Sequence, residues 1–217
     1  MPTYFTSDLH FGHTNILKWR KDEHGDPLFG SLDEMHDTLI TNWNDTVGPD
    51  DIVYVLGDIC MGQRDQTLPL VSELNGMKVL FPGNHDHIHA MHITGKGLPW
   101  ASKWLDAYAK VVLFAPECRV ESIKGLGTVG LCHFPFDGDH TDEQRYDEWR
   151  PVHLLDPNNS GVGAGGVNVL LHGHVHGLWK RRDFHSQAHT CTPQINVGVD
   201  VWNYAPVSVE QIQEVLQ

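Results

Sequence analysis

The chain has 217 residues, 40% hydrophobic and 20% charged, the balance of a soluble globular protein with length enough for a real core. Its formal net charge of −13 would repel polyanions at long range, which disfavours a DNA-wrapping or membrane-surface role. No apolar run nears the ~20 residues needed to cross a bilayer, and no basic stretch precedes an apolar one as in a signal peptide.

Cys60, Cys118, Cys132 and Cys191 include no Cys-x-x-Cys pair, so reduced thiols and a cytoplasmic location are expected. The 16 histidines are the oddity of the composition, because histidine is the commonest metal-binding side chain.

Residues 4–7 read as a first short strand that ends in Asp8-Leu9-His10. Alternation would put Asp8 and His10 on one face, as two ligands of one ion require. Ser31-x-x-Glu34 is a capping-box pattern, and Leu32, Met35, Leu39, Trp43 and Val47 follow at helical spacing, so a helix to about Val47 is predicted. Residues 52–56 form an apolar strand ending in Gly57-Asp58, and residues 67–74 a helix with Pro69 in its first turn.

Residues 78–86, Lys-Val-Leu-Phe-Pro-Gly-Asn-His-Asp, are the stretch around which the rest is organised. A short apolar strand is stopped by Pro82-Gly83, and Asn84, His85 and Asp86 are presented straight out of the turn. Strands alternating with helices imply an α/β fold with largely parallel pairing, whose sites lie at the carboxyl ends of the strands.

Residues 98–109 are expected to be helical, and 111–114, 118–123 and 128–132 to be closely spaced antiparallel strands, the last ending in His133. Residues 134–166 hold most of the loop signals and read as an irregular insertion that could close as a lid. A strand at 167–171 ends in His172-Gly173-His174-Val175-His176, a late strand is placed at 195–199, and Ser208-x-x-Gln211 opens a terminal helix to Leu216. Gly161-x-Gly163-x-x-Gly166 mimics a dinucleotide fingerprint but follows a loop and precedes a strand, so it reads as loop. With no internal repeat and no linker, residues 1–217 are taken as one domain.

The strand-end groups are Asp8 and His10; Asp58; Asn84, His85 and Asp86; His133; and His174 with His176. Carboxylate, amide oxygen and imidazole without thiolate suit borderline divalent ions such as Mn²⁺, Fe²⁺ or Zn²⁺, and there are too many donors for one four-coordinate ion. A carboxylate could bridge two ions roughly 3.5–4 Å apart. Histidines outside these groups, such as His36, His89 and His92, read as surface or hydrogen-bonding residues.

Asp8-x-His10, Gly57-Asp58, Gly83-Asn84-His85-Asp86, His133 and Gly173-His174-x-His176, in this order, resemble the motif series of the calcineurin-like metallophosphoesterases. The likeness runs from Asp8 to about Asn203. It implies a four-layer α-β-β-α sandwich of two mixed sheets flanked by helices. It also implies two divalent ions, Mn²⁺ first, with Fe²⁺, Zn²⁺, Co²⁺ or Ni²⁺ as alternatives.

By the same resemblance, Asp8, His10, Asp58 and His176 would hold the first ion, and Asp58, Asn84, His133 and His174 the second. His85 would be the catalytic histidine, oriented by Asp86, and a metal-bridging hydroxide the nucleophile. The segment 195–206 is similar to that of small bacterial and phage-encoded members, some of which hydrolyse phosphodiesters including 2′,3′-cyclic nucleotides. The expected substrate is therefore a small phosphoester or nucleotide, with no duplex nucleic acid and no membrane as partner. The alternatives are a phosphomonoesterase or protein phosphatase, or a non-catalytic metal-bound binding module. His13 and Arg145 are carried as substrate-binding candidates, although Arg145 and Arg150 also fit a solvated charged segment beside Asp147 and Glu148.

Overall fold

The computed structural model describes residues 1–94, 96–139, 145–156, 166–177, 179–185 and 191–217. In chain order they form β1 (Thr3–Thr6), α1 (Leu32–Thr46), β2 (Ile52–Val55), the single turn α2 (Arg64–Thr67), β3 (Met77–Leu80), α3 (Ala90–Ile93) and α4 (Leu98–Tyr108). Then come β4 (Leu113–Phe114), β5 (Cys118–Ile123), β6 (Gly127–Cys132), β7 (Val169–His172), β8 (Arg181–Phe184), β9 (Thr192–Asn196), β10 (Val207–Ser208) and α5 (Val209–Leu216). The strands make two mixed five-stranded sheets, ordered β10-β1-β2-β3-β4 and β5-β6-β7-β9-β8. In the first, β1 to β4 run parallel and only β10 is antiparallel.

Side-chain alternation sorts the strands into three cores. Val53 and Val55 of β2 face a core with Met35, Leu39 and Trp43 of α1 and Trp104 and Tyr108 of α4. Phe5, Leu56 and Phe81 point the other way, against Val129, Leu131, Val169, Leu171 and Ile195 of the second sheet. Leu170 and Cys132 turn outward onto Leu154 and Leu155, in a 3-10 helix spanning Pro151–Leu155. Both sheets are thus buried on both faces, which is why their central strands read as continuous apolar runs.

The helix signals resolve differently in detail. Ser31 Oγ accepts the Glu34 N–H as a cap, but the Glu34 carboxylate accepts from Gly30, one residue earlier than a capping box requires. Ser208 and Gln211 form the full reciprocal box at the start of α5. The expected helix over 67–74 is instead one α-turn followed by a 3-10 segment, Leu68–Glu73, in which Pro69 cannot donate. The late strand lies earlier than expected, at β9, because the chain leaves the ladder at Val197 and Gly198 bridges to Ser7. Strands β8 and β10 carried no sequence signal: one is the edge strand Arg-Arg-Asp-Phe, the other two residues long.

Within the irregular stretch, Asp147–Trp149 and Pro151–Leu155 are 3-10 helices. Gly161 and Gly163 of the glycine-rich segment lie outside the described residues. No helix among the described residues is long and apolar enough to cross a membrane.

Candidate metal centre

The carboxyl ends of β1, β2, β3, β6 and β7 converge, and each delivers its side chains through a turn immediately after the strand. Five of these residues are held at left-handed φ: Asp8 (58°), His10 (54°), Asp58 (56°), His174 (70°) and His176 (47°). Such backbone is uncommon for non-glycine residues and clusters at sites where the surrounding structure imposes it. The glycines beside them permit the approach. A Cβ on Gly57 would sit 2.5 Å from His133 Nδ1, and one on Gly173 would collide with Ser7 Oγ and lie 2.5 Å from Asp8 Oδ2.

Both carboxylates divide their oxygens between scaffold and site. Asp8 Oδ2 accepts the backbone N–H of His174 at 2.9 Å, while Oδ1 is buried without a hydrogen-bond partner and faces His10 Nε2 at 3.7 Å. Asp58 Oδ1 accepts the His85 N–H at 2.8 Å, while Oδ2 lies 3.7 Å from His10 Nε2 and 3.5 Å from His133 Nε2. Burial works against both ionised carboxylates. The surrounding imidazoles outweigh it, holding Asp8 well below, and Asp58 below, the usual carboxylate range.

The donor chemistry fits divalent cations. His133 Nδ1 lies 2.7 Å from the Leu56 carbonyl and donates to it, so a neutral ring carries its lone pair on Nε2. That lone pair points at Asn84 Oδ1, 2.9 Å away, and His174 Nδ1 approaches the same oxygen at 3.0 Å. A divalent cation between these buried acceptors would satisfy them together. Both ring nitrogens of His10 are likewise buried without hydrogen-bond partners. Donor atoms of Asp8, His10 and His176, and of Asp8, Asp58 and His133, lie within 4.8 Å of one another. Asn84 and His174 extend the second group.

His85 is not part of either group. Its backbone is pinned at both ends, N–H to Asp58 and carbonyl to Arg64 Nη2 at 2.6 Å. Its ring is 39% exposed, packs against His10, and lies 3.9 Å from Asp58 Oδ2 at Nε2. The expectation that Asp86 orients this ring is corrected. Asp86 is fully buried, and its oxygens accept from the backbone of Asp58 (2.7 Å), Gly83 (2.9 Å) and Ile59 (3.2 Å) and from Tyr108 Oη (3.2 Å). It ties the turn after β3 to the turn after β2. Burial, first of all, lowers the His85 pKa, against the opposing pull of Asp58.

His13 stands with the cluster, its ring 5.2 Å from that of His10. Arg145 donates to Tyr146 Oη at 2.8 Å, and that tyrosine ring packs on His174. Arg150 does pair with Asp147, but also grips Asp139 at 2.6 and 2.8 Å. His172 is buried with its Nδ1 on the Gly173 carbonyl. His36 and His92 are hydrogen-bonding histidines that serve the site's turns, His36 accepting from Gly12 N–H and His92 donating to the Asn84 carbonyl.

Sequence reasoning missed Arg20, Arg64, Asp139 and Asp200, all of which brace these turns. Arg20, 2% exposed, donates to Asp200 and to the carbonyl of Asp8. Only Asp200 carried a hint, at the end of the segment 195–200.

Beside the cluster opens a cleft of ≈ 680 Å³ lined by His13, Ile16, Trp19, Lys21, His176 and Tyr204, among others. Trp19 is 78% exposed there.

No family profile matches the chain. It is similar to the Gene 66 protein of Mycobacterium phage L5, 35% identical over 210 residues that cover 92% of this chain and 87% of the relative. The Gene 66 protein of Mycobacterium phage D29 is 34% identical, with 98% and 94% covered. Among solved structures, a protein of unknown function from Aquifex aeolicus superposes with a TM-score of 0.65 at 23% identity over 99% of this chain and 98% of that one, and so shares the fold.

Proposed function

The chain belongs to the family of the mycobacteriophage Gene 66 proteins, and from the geometry of its site we propose that it is a two-metal phosphoesterase acting on diesters of small nucleotides. One observation carries the reading: Asp58 Oδ2 stands between His10 Nε2 of one donor set and His133 Nε2 of the other, at 3.7 and 3.5 Å. A carboxylate so placed could serve two cations at once. Asp8, His10, Asp58 and His176 would hold one, and Asp58, Asn84, His133 and His174 the other. The two sheets and three cores fit the sandwich expected of metallophosphoesterases, with 3-10 helices covering one outer face.

When bound, a pair of divalent ions such as Mn²⁺ supplies neutralisation of phosphate charge and a water whose pKa falls toward ~7. Two carboxylates against two divalent cations leave positive charge for the phosphate, and phosphoryl transfer asks the protein mainly for in-line placement. His85, held outside both donor sets with its ring partly exposed, delivers a proton to the leaving oxygen. The cleft takes the organic part: Ile16, Trp19 and Tyr204 offer apolar and aromatic surface, Lys21 a cation. The net charge of −13 keeps duplex nucleic acid away.

The test is a side-by-side assay of 2′,3′-cyclic nucleotides, bis-p-nitrophenyl phosphate and p-nitrophenyl phosphate with added Mn²⁺, before and after chelation. Diesterase activity above monoesterase activity, abolished by chelator, is expected. A monoesterase rate clearly above the diesterase rate at matched metal would reject the reading.

A further inference from the structure

His174 and His176 leave the same turn after β7, yet they present different ring nitrogens to the centre. His176 turns Nδ1 toward Asp200 Oδ2 at 3.1 Å, which leaves Nε2 for the cluster with Asp8 and His10. His174 turns Nδ1 toward Asn84 Oδ1 at 3.0 Å, and its Nε2 lies 3.6 Å from Asp139 Oδ2. Behind each carboxylate stands an arginine. Arg20 Nε donates to Asp200 Oδ1 at 2.9 Å, and Arg150 Nη2 donates to both oxygens of Asp139.

Each arginine is also anchored to backbone. Arg20 Nη2 donates to the Asp8 carbonyl at 2.6 Å, and Arg150 Nη1 to the Pro135 carbonyl at 3.4 Å. Asp200 and Asp139 are 9% and 10% exposed, so these are sheltered pairs with defined geometry.

We propose that Arg20–Asp200 is a positioning arm whose hydrogen bond holds His176 in one tautomer, aiming Nε2 at its ion, while Arg150–Asp139 biases His174 electrostatically toward the opposite tautomer, aiming Nδ1 at the other. A hydrogen bond to one ring nitrogen decides which nitrogen is left as ligand, and such outer partners typically contribute 10–100-fold in metal affinity. The arms are not equivalent. The first is hydrogen-bonded throughout, whereas 3.6 Å between His174 and Asp139 is longer than a hydrogen bond. The first arm also ties two ligand residues together, since Arg20 holds the Asp8 carbonyl while its partner Asp200 holds His176. Its loss therefore acts on the Asp8, His10 and His176 set. Loss of the second acts on the set of Asp58, Asn84, His133 and His174. The inference rests on the two-metal reading above, though not on the reaction.

The experiment needs no substrate. ¹⁵N-histidine spectra of the metal-free protein at alkaline pH, where both rings are neutral, should show His176 as the Nδ1–H form and His174 as the Nε2–H form. Asp200→Ala should release His176 alone from its tautomer, and Asp139→Ala His174 alone. In calorimetric titrations with Mn²⁺, Asp200→Ala should weaken one of two binding events about 10–100-fold, and Asp139→Ala the other by a smaller factor, each sparing the remaining event. Should Asp200→Ala fail to fold around an unpaired Arg20, the double variant Arg20→Met/Asp200→Ala removes both buried charges and answers the same question. Unchanged tautomers, or equal weakening of both ions by either variant, would overturn the proposal. A wild-type chain that binds no Mn²⁺ would instead remove the two-metal reading itself, whereas lack of diesterase activity would leave the arms intact.

Discussion

Asp58 holds His85 in place by its side chain: Oδ1 accepts the His85 backbone N–H at 2.8 Å, and the other oxygen faces the imidazoles of both donor sets. One carboxylate therefore joins the two candidate ion sites to the proposed proton donor. Asp58→Ala should remove both ions and free the turn after β3 in a single step. Elemental analysis of the purified variant is expected to find neither ion. One ion still tightly bound would show that Asp58 is not shared.

His85 lies outside both donor sets, so His85→Asn should keep both ions. General acid assistance is typically worth ~10²–10⁴-fold, and a ribose alkoxide needs the proton far more than p-nitrophenolate does. Hydrolysis of 2′,3′-cyclic nucleotides should fall by about that factor, and that of bis-p-nitrophenyl phosphate much less. Equal losses on both substrates would make His85 an electrostatic contact to phosphate.

Asp86 accepts from three backbone N–H groups and from Tyr108 Oη while fully buried. Its replacement by alanine leaves several buried donors without a partner, at ~1–3 kcal/mol each. Asp86→Ala should therefore lower the thermal midpoint sharply, whereas Tyr108→Phe, which removes one bond, should cost about 1 kcal/mol. A fully stable Asp86→Ala with impaired proton transfer would return Asp86 to the role of orienting His85.

Trp19 is 78% exposed at the cleft, so Trp19→Ala should leave the thermal midpoint unchanged. Stacking of a base on an aromatic face is worth ~1–3 kcal/mol, so KM for cyclic nucleotides should rise about 5–150-fold. Activity on bis-p-nitrophenyl phosphate should change much less. An equal effect on both substrates would point to general damage to the cleft.

Acid should unfold the metal-free chain through its paired carboxylates. Burial opposes the charge on Asp200 and Asp139, but Arg20 with His176, and His174 with Arg150, bring both pKa values down to about 2. A carboxylate lowered on folding contributes stability above its unfolded pKa of ~4 and loses it as pH falls toward its folded value. Chemical denaturation between pH 5 and 2 should show the loss, at about 2 kcal/mol for Asp200 and less for the more solvent-screened Asp139. Asp200→Asn should flatten the curve over that window, and an unchanged slope would mean that Arg20 does not hold Asp200 ionised.

Much of this centre was legible in the sequence by itself. Short apolar runs marked where β1, β2, β3, β6 and β7 end, with Gly57 and Pro82-Gly83 as explicit stops after β2 and β3, and strand ends are local events set by neighbouring residues. The polar residues just past those ends, from Asp8 to His176, could be singled out because a donor set needs particular residue types at short spacing. What the tertiary structure decided lies at long range. Arg20 meets Asp200 across 180 residues, and nothing near either one marks a buried ion pair. Asp86 sits beside His85 in the chain, yet the fold turns its carboxylate toward the backbone of Asp58 and Ile59, because buried N–H groups must find acceptors and this one was in reach. The ring nitrogen that each histidine offers was settled the same way, by whichever partner the fold placed behind it.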